Sequence, residues 1–420
     1  MDEKRNNNTN VPNLRFGGFK EGWNGYKLGD ISKFSKGKGI SKSDIAENGN
    51  TECIRYGELY THYGPVITEI KSRTNVDTSN LILSEENDVI IPASGETQLD
   101  IATAACVLKS GVALGGDLNI IKTPNNGVFL SYYLNSEKKM EIANLAQGIS
   151  VVHLYASQLA SLKINLPSSL EQTKIVSFLS ILDKRITTQN KIIAHLESLC
   201  KILRDNLFDR KMRFSGFAEQ WKTHRVSNLL EFFSTNSLSW EQLKYEPGEL
   251  YNLHYGLIHQ GVPTLIDMAV CILPSIEETA TPKKYTLCKD GDIAFADASE
   301  DTSDVAKAVE FINCGDKSIV CGLHTIHGRD KMNLTIKGFK GYAFTSKSFR
   351  NQIRSLAQGT KVFSVSPKTL HECFIDIPSK KEQSKISDVL TLVNKKIEIE
   401  KRLLIQYEVQ KRYLLQQMFI

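Results

Sequence analysis

Pro167-Ser-Ser-Leu-Glu-Gln-Thr-Lys-Ile175 and Pro378-Ser-Lys-Lys-Glu-Gln-Ser-Lys-Ile386 decide the architecture of this 420-residue chain. Read alone, each is a helix start. Proline cannot continue a preceding helix. Ser168 and Ser379 stand where a hydroxyl accepts from the N3 backbone N–H, and Glu171 and Glu382 where a carboxylate reaches back to the cap. Read together, they are one segment written twice, 211 residues apart (167 to 378).

Behind the first cap, apolar residues recur at Ile175, Leu179, Leu182, Ile186, Ile193, Leu196 and Leu203. The same shift gives Ile386, Leu390, Val393, Ile397, Leu404, Tyr407 and Leu414. Steps of four and three define a coiled-coil seam, interrupted in both copies at one place, Gln189 and Glu400. A helix of about 40 residues is roughly 60 Å long and cannot bury such a stripe alone. Two rods with matched frames, separated by a globular stretch, are expected to pack antiparallel within the chain. The alternative is that each packs only on its own domain or on another subunit.

The repetition extends outward. Leu14-Arg-Phe-Gly-Gly-Phe19 with Trp23 is echoed by Met212-Arg-Phe-Ser-Gly-Phe217 with Trp221, and Leu145-Ala-Gln-Gly148 by Leu356-Ala-Gln-Gly359. Weaker echoes are Arg55-Tyr-Gly57 with His254-Tyr-Gly256, and Asp88-Val-Ile-Ile91 with Asp292-Ile-Ala-Phe295. Several matches in one order establish a duplication whose ends were kept while its interiors diverged.

The interiors mix short β-like runs, such as Asp88–Ile91, Gly115–Ile121, Ser161–Leu166 and Glu372–Ile377, with helix-like runs at Gly127–Leu134 and Lys347–Ile353. The fold class expected is α+β: two α+β recognition domains joined by two long antiparallel coiled-coil helices, a pseudo-twofold internal repeat. The boundaries are a tail over 1–10, a first domain over 11–167, a first helix over 168–212, a second domain over 213–378 and a second helix over 379–420.

A formal net charge of +5 permits nucleic-acid binding through local patches without requiring it. The eight cysteines form no Cys-x-x-Cys pair, so no metal site is expected; their scatter suits reduced thiols in a cytoplasmic protein. Residues 1–10 have no apolar signal-peptide core, and no run of 18 apolar residues suggests a membrane span. A phosphate-binding GxxxxGK[ST] loop, an Asn-Pro-Pro-aromatic methyltransferase motif, a nuclease core, G-x-S-x-G and H-E-x-x-H are all missing. No catalytic residue is therefore assigned. Asp297, Ser299, Glu300 and Asp301 read as an acidic turn after a strand.

Binding candidates sit in the expected loops. Lys33, Lys36, Lys38 and Lys42 flank Gly37 and Gly39, which suits either close approach to phosphates or a solvated flexible loop. Arg55-Tyr56 and His254-Tyr255 pair a base-reading side chain with an aromatic, although either tyrosine also suits a core. Ser94, Gln98, Ser299 and Lys361 complete the DNA-binding candidates. Gln147 and Gln358 are explained equally by a helix turn ending at the following glycine.

Taken in order and in duplicate, the Arg-Phe-x-Gly-Phe, Leu-Ala-Gln-Gly and Pro…Glu-Gln-x-Lys-Ile segments resemble the specificity subunits of type I restriction–modification enzymes. So do Asp292–Glu300 and Gly322-Leu-His-Thr325. The likeness covers nearly the whole chain. It implies that each domain reads one half of a split double-stranded DNA target, with the helices setting the unread spacer. It also implies two modification subunits binding S-adenosylmethionine and two restriction subunits using ATP and Mg²⁺, with no cofactor in this chain. The competing reading is a coiled-coil scaffold carrying two ligand-binding domains without DNA.

Overall fold

The computed structural model describes residues 10–148, 150–301, 304–359 and 361–420. The tail expected over 1–10 lies outside them except Asn10, which is tied to Trp23 by bonds to and from its backbone. The chain divides into two compact units: residues up to Asn190 with Arg402–Ile420, and Lys191–Lys401. The two long helices run from Ser169 to Phe208 and from Lys380 to Met418. Each contributes one end to each unit.

In the first unit a five-stranded sheet has the order Lys33–Lys36, Leu118–Lys122, Asp88–Pro92, Ala105–Val107, Val66–Ile67. Its central strand alternates between two cores. Val89 and Ile91 pack with Phe129, Tyr133 and the long helices, while Ile90 packs on the other side with Ile54, Leu59 and Leu114. Both faces are buried, which is why Asp88-Val-Ile-Ile91 reads as an unbroken apolar run instead of an alternating one. The second face is closed by a four-stranded sheet, Ser72–Thr74, Thr51–Ile54, Ala113–Leu114, Ile82–Leu83.

The second unit repeats this plan with the order Leu230–Phe233, Thr325–Asp330, Ile293–Ala296, Ala308–Ile312, Leu265–Asp267. Ile293 and Phe295 face the helices, and Ala294 and Ala296 face a separate core with Leu253 and Phe311. The helix-like runs are helices, Gly127–Ser136 and Lys347–Leu356.

The seam residues are buried or half-buried throughout, whereas Ile181, Ile192, Leu199, Ile202, Leu392, Ile399 and Ile405 on other faces are exposed. In the first unit Ile175, Leu179 and Leu182 share a core with Leu414 and Met418, and Lys411 pairs with Asp183 at 2.5 Å. In the second, Lys401 pairs with Glu197 at 2.8 Å and Cys200 meets Asn394. Within each unit the two helix segments therefore run antiparallel, and both also pack on the domain of that unit. Phe419 lies against Trp23 and Phe129 in one unit as Phe208 lies against Trp221 and Phe339 in the other. The first helix stops at Phe208, short of 212, because Arg210 turns to φ 59° and the Lys211 and Met212 amides close back on the Asn206 carbonyl.

The expected capping boxes form only in part. The Ser168 and Ser379 hydroxyls accept from the Glu171 and Glu382 amides at 3.4 Å. The glutamates do not turn back to the caps. Glu171 takes a two-pronged bond from Arg15 at 2.7 Å on each oxygen, and Glu382 takes the same from Arg213 at 3.0 and 2.8 Å. Each arginine also donates to a backbone carbonyl six residues on, Glu21 or Glu219. The repeated Arg-Phe motif is thus a clamp on each helix start. A buried carboxylate finds a guanidinium fork stronger than one backbone N–H. Gln172 and Gln383 add a second clamp, accepting from the Asn126 and Ile336 amides.

Candidate nucleic-acid interface

Four loops meet at one end of the sheets in each unit, held by a bond pattern that the two units share. In the first, Gly115 N donates to Ile54 O, Ala93 N to Asp117 O and Leu154 N to Ala93 O. In the second, Gly322 N donates to Leu253 O, Asp297 N to His324 O and Val365 N to Asp297 O. Ser94–Gly95 pairs with Val152–His153, and Ala298–Ser299 with Phe363–Ser364. Asp117 and His324 both adopt left-handed backbone, φ 59° and 53°. Such strain in a non-glycine residue persists where surrounding structure fixes it, commonly at binding sites.

On this shared frame the exposed side chains differ. The first unit presents Lys36, Lys38, Gln98, His153 and Tyr155, with Tyr56 and Tyr60 half-buried. Lys36 Nζ lies 5.9 Å from the Tyr155 ring centre. The second presents Lys361, Ser364, Glu300 and His324, with Tyr255 and His259 half-buried. The Tyr255 ring meets both His259 and His324 edge-on, at 5.8 and 5.2 Å. His259 Nε2 bonds the Ala298 carbonyl, and His324 Nδ1 bonds Asp297 at 3.1 Å. Lysine, glutamine, histidine and tyrosine at a loop rim offer donors and acceptors for base edges and phosphates.

The folded chain sorts the sequence candidates. Lys36, Lys38, Gln98 and Lys361 are exposed at or beside these loops; Tyr56, Tyr255 and Ser299 are half-buried there. Lys33 and Lys36 occupy one strand three residues apart, so their side chains leave opposite faces, and Lys42 lies in a separate short turn. The four lysines thus do not form one phosphate loop. Nor is the glycine stretch a free surface loop: Gly37 donates to Leu118 O, and a side chain on Gly37 would strike the Gly115 carbonyl. Ser94 is buried in its strand pair.

His254 is not presented at this rim. It is 2% exposed, its Nδ1 accepts from the Gly256 amide as a helix cap, and its ring lies between Trp240 and Tyr255. Burial, with His324 nearby, pulls its imidazole below the usual range. Arg55 is folded onto Glu58 at 3.2 Å. The Leu-Ala-Gln-Gly segments are not helix turns ending at glycine. The helices end at Leu145 and Leu356, and Gln147 and Gln358 open tight hairpins by exchanging backbone bonds with His153 and Ser364. Gly148 and Gly359, at φ 128° and 131°, make the reversals.

Residues 20–198 match the family model described as the type I restriction modification DNA specificity domain. The chain is 23% identical over 400 residues to the type I restriction enzyme MjaVIII specificity subunit of Methanocaldococcus jannaschii, covering 91% of this chain and 88% of that one. Its fold matches the crystal structure of a type I restriction–modification system S subunit from M. genitalium, with a TM-score of 0.60 at 17% identity, over 98% and 99% of the two chains. A chain from a structure of type I system assembly and conformational transition matches with a TM-score of 0.55 at 16% identity, over 95% and 97%. Residues 20–198 are thus similar in sequence to the type I restriction modification DNA specificity domain, and nearly the whole chain shares its fold with a type I restriction–modification S subunit.

Proposed function

We propose that this chain is the sequence-reading, non-catalytic specificity subunit of a type I restriction–modification complex, each unit recognising one half of a split double-stranded DNA target. The observation that carries this reading is the retained loop frame with unlike side chains. Asp117 stands where the second unit has His324, His153 where it has Ser364, and Tyr155 where it has Ser366. One scaffold with altered donors and acceptors is what two different half-sites require.

The long helices serve two further roles in this proposal. They set the number of unread base pairs between half-sites, as element geometry does in dimeric DNA readers. Their exposed residues Ile181, Ile202, Leu392 and Tyr413, 54–66% exposed, form apolar faces that partner subunits cover. Those partners are two modification subunits, supplying S-adenosylmethionine chemistry, and two restriction subunits, supplying ATP- and Mg²⁺-dependent cleavage. Among the described residues no helix is long and apolar enough to cross a membrane. In this proposal the complex works in the cytoplasm, where its DNA is.

Adenine-methylation mapping tests the proposal. Cells expressing the chain with modification subunits should gain methylation at one split motif. An unchanged methylome, with the complex assembled, contradicts DNA reading.

A further inference from the structure

Cys288, Cys321 and His327 come together in the core of the second unit, all buried, with their sulfur and ring-nitrogen atoms within 4.8 Å of one another. Cys321 and His327 stand on the strands Ser318–Cys321 and Thr325–Asp330 and Cys288 on the non-strand segment before Ile293–Ala296, so no sequence spacing announces the cluster. The two sulfurs are 3.6 Å apart and unbonded. Zinc–thiolate bonds of about 2.3 Å place two sulfurs on a tetrahedral ion roughly 3.8 Å apart. The sulfur pair already stands near that spacing, and the ring nitrogen, within 4.8 Å, closes on the ion as it binds.

The imidazole is already oriented. His327 Nε2 bonds Asp292 Oδ2 at 2.8 Å, and Asp292 is held by a two-pronged bond from Arg329 and by the Lys289 amide. With Nε2–H donated to the carboxylate, Nδ1 carries the ring's lone pair. A carboxylate holding the far nitrogen is the usual support of a metal-ligating histidine.

The first unit provides an internal comparison. Ser84 N donates to Val112 O as Cys288 N donates to Ile319 O. Leu114 pairs with Ile54 as Cys321 pairs with Leu253. Ile120 faces Ile90 as His327 faces Ala294. Three core positions that are Ser84, Leu114 and Ile120 in one copy carry side chains of metal-ligating type, Cys288, Cys321 and His327, in the other. Packing alone gives no reason for that joint change.

We propose that Cys288, Cys321 and His327 bind a thiophilic divalent ion of the Zn²⁺ class. On binding, each thiol releases its proton to solvent as its sulfur–metal bond forms. Two thiolates and a neutral imidazole then cancel the dication's charge, which suits a buried site. Cys321 and His327 also bracket Gly322-Leu323-His324, so the ion fixes the loop that presents His324. That coupling to DNA rests on the proposed function, whereas metal binding does not.

The test uses the full chain in its complex with modification subunits. Zinc is measured on the isolated complex, and Co²⁺ is titrated after chelation. One zinc per chain and a thiolate-to-cobalt charge-transfer band at one equivalent are expected. Cys288→Ser and Cys321→Leu, the residues the first copy carries, should abolish both signals in folded protein. Asp292→Asn should weaken Co²⁺ binding about tenfold or more. Absence of zinc and of the band in folded parent protein overturns the proposal, as does a Cys288–Cys321 disulfide found by mass spectrometry. Metal binding by the parent, together with an unchanged half-site preference in the metal-free Cys321→Leu variant, overturns only the coupling to DNA.

Discussion

Replacing Arg15 by methionine keeps the length of the side chain and removes its charge. Glu171, 1% exposed, then loses both bonds that neutralise its carboxylate, and among the described residues it has no other ion pair. Breaking a fully buried pair costs about 3–5 kcal/mol. The Arg15 side chain is 12% exposed, so water reaches part of the vacated space, and about 2–3 kcal/mol is the discounted expectation. For a unit of about 200 residues this lowers the melting temperature by roughly 4–12 °C. Thermal unfolding reads the loss, and hydrogen exchange over residues 168–180 locates it at the helix start. Replacing both Arg15 and Glu171 by methionine should recover most of it, since the charge stranded by the single change is gone. The matching change at Arg213 should cost less, because Trp221 Nε1 still donates to Glu382 at 3.1 Å while Trp23 Nε1 has no partner among the described residues. A single Arg15 variant within about 0.5 kcal/mol of the parent refutes the clamp, as do single costs that simply add.

Truncating His324 or Lys361 to alanine should weaken recognition of one half-site by about 1–3 kcal/mol per base contact, or leave specificity intact and lower the salt slope if the contact is to phosphate; competition binding over a salt series separates the two. His254→Ala should instead lose about 0.5–2 kcal/mol of stability through the lost cap, with the preferred sequence unchanged. Gly148→Ala and Gly359→Ala should each cost about 1–3 kcal/mol, read by denaturant unfolding, because their backbone is left-handed and the added methyl meets the Val151 or Val362 carbonyl. Alkaline pH should destabilise both units. Burial pushes the Cys53 and Cys373 thiols up to about 11, and Cys106, Cys314 and Tyr133 to about 12. A folded value raised above the unfolded one gives stability that is full below about pH 9 and lost as pH climbs toward 12. Unfolding followed by tyrosinate absorbance checks the direction.

The long helices were legible because their information is local and periodic. A cap, a seven-residue repeat and its duplicate at a shift of 211 place every seam residue away from full exposure. The sheets were partly legible, since Asp88–Ile91 and Asp292–Phe295 are apolar runs buried on both faces. The interface was much less so. Its frame depends on backbone bonds between distant residues, such as Leu154 to Ala93, and on left-handed Asp117 and His324, residue types that tolerate that conformation but adopt it at few of their positions. The placement of His254 and Arg55 is not legible in the sequence, because polarity alone does not reveal a buried cap or an ion pair. The glutamates of the helix starts were correctly located, but their partners lie 156 and 169 residues away in the chain. A local motif cannot disclose such partners.

Independence of the two readers is the central claim, and exchanging one of them measures it directly. Residues 213–378 are replaced by the corresponding domain of a specificity subunit with a different target, and adenine methylation is mapped in cells that also supply the modification subunits. The half of the motif read by the second unit should change to that of the donor, while the other half and the spacing stay as they were. Alteration of both halves together, or of neither in an assembled complex, contradicts the account.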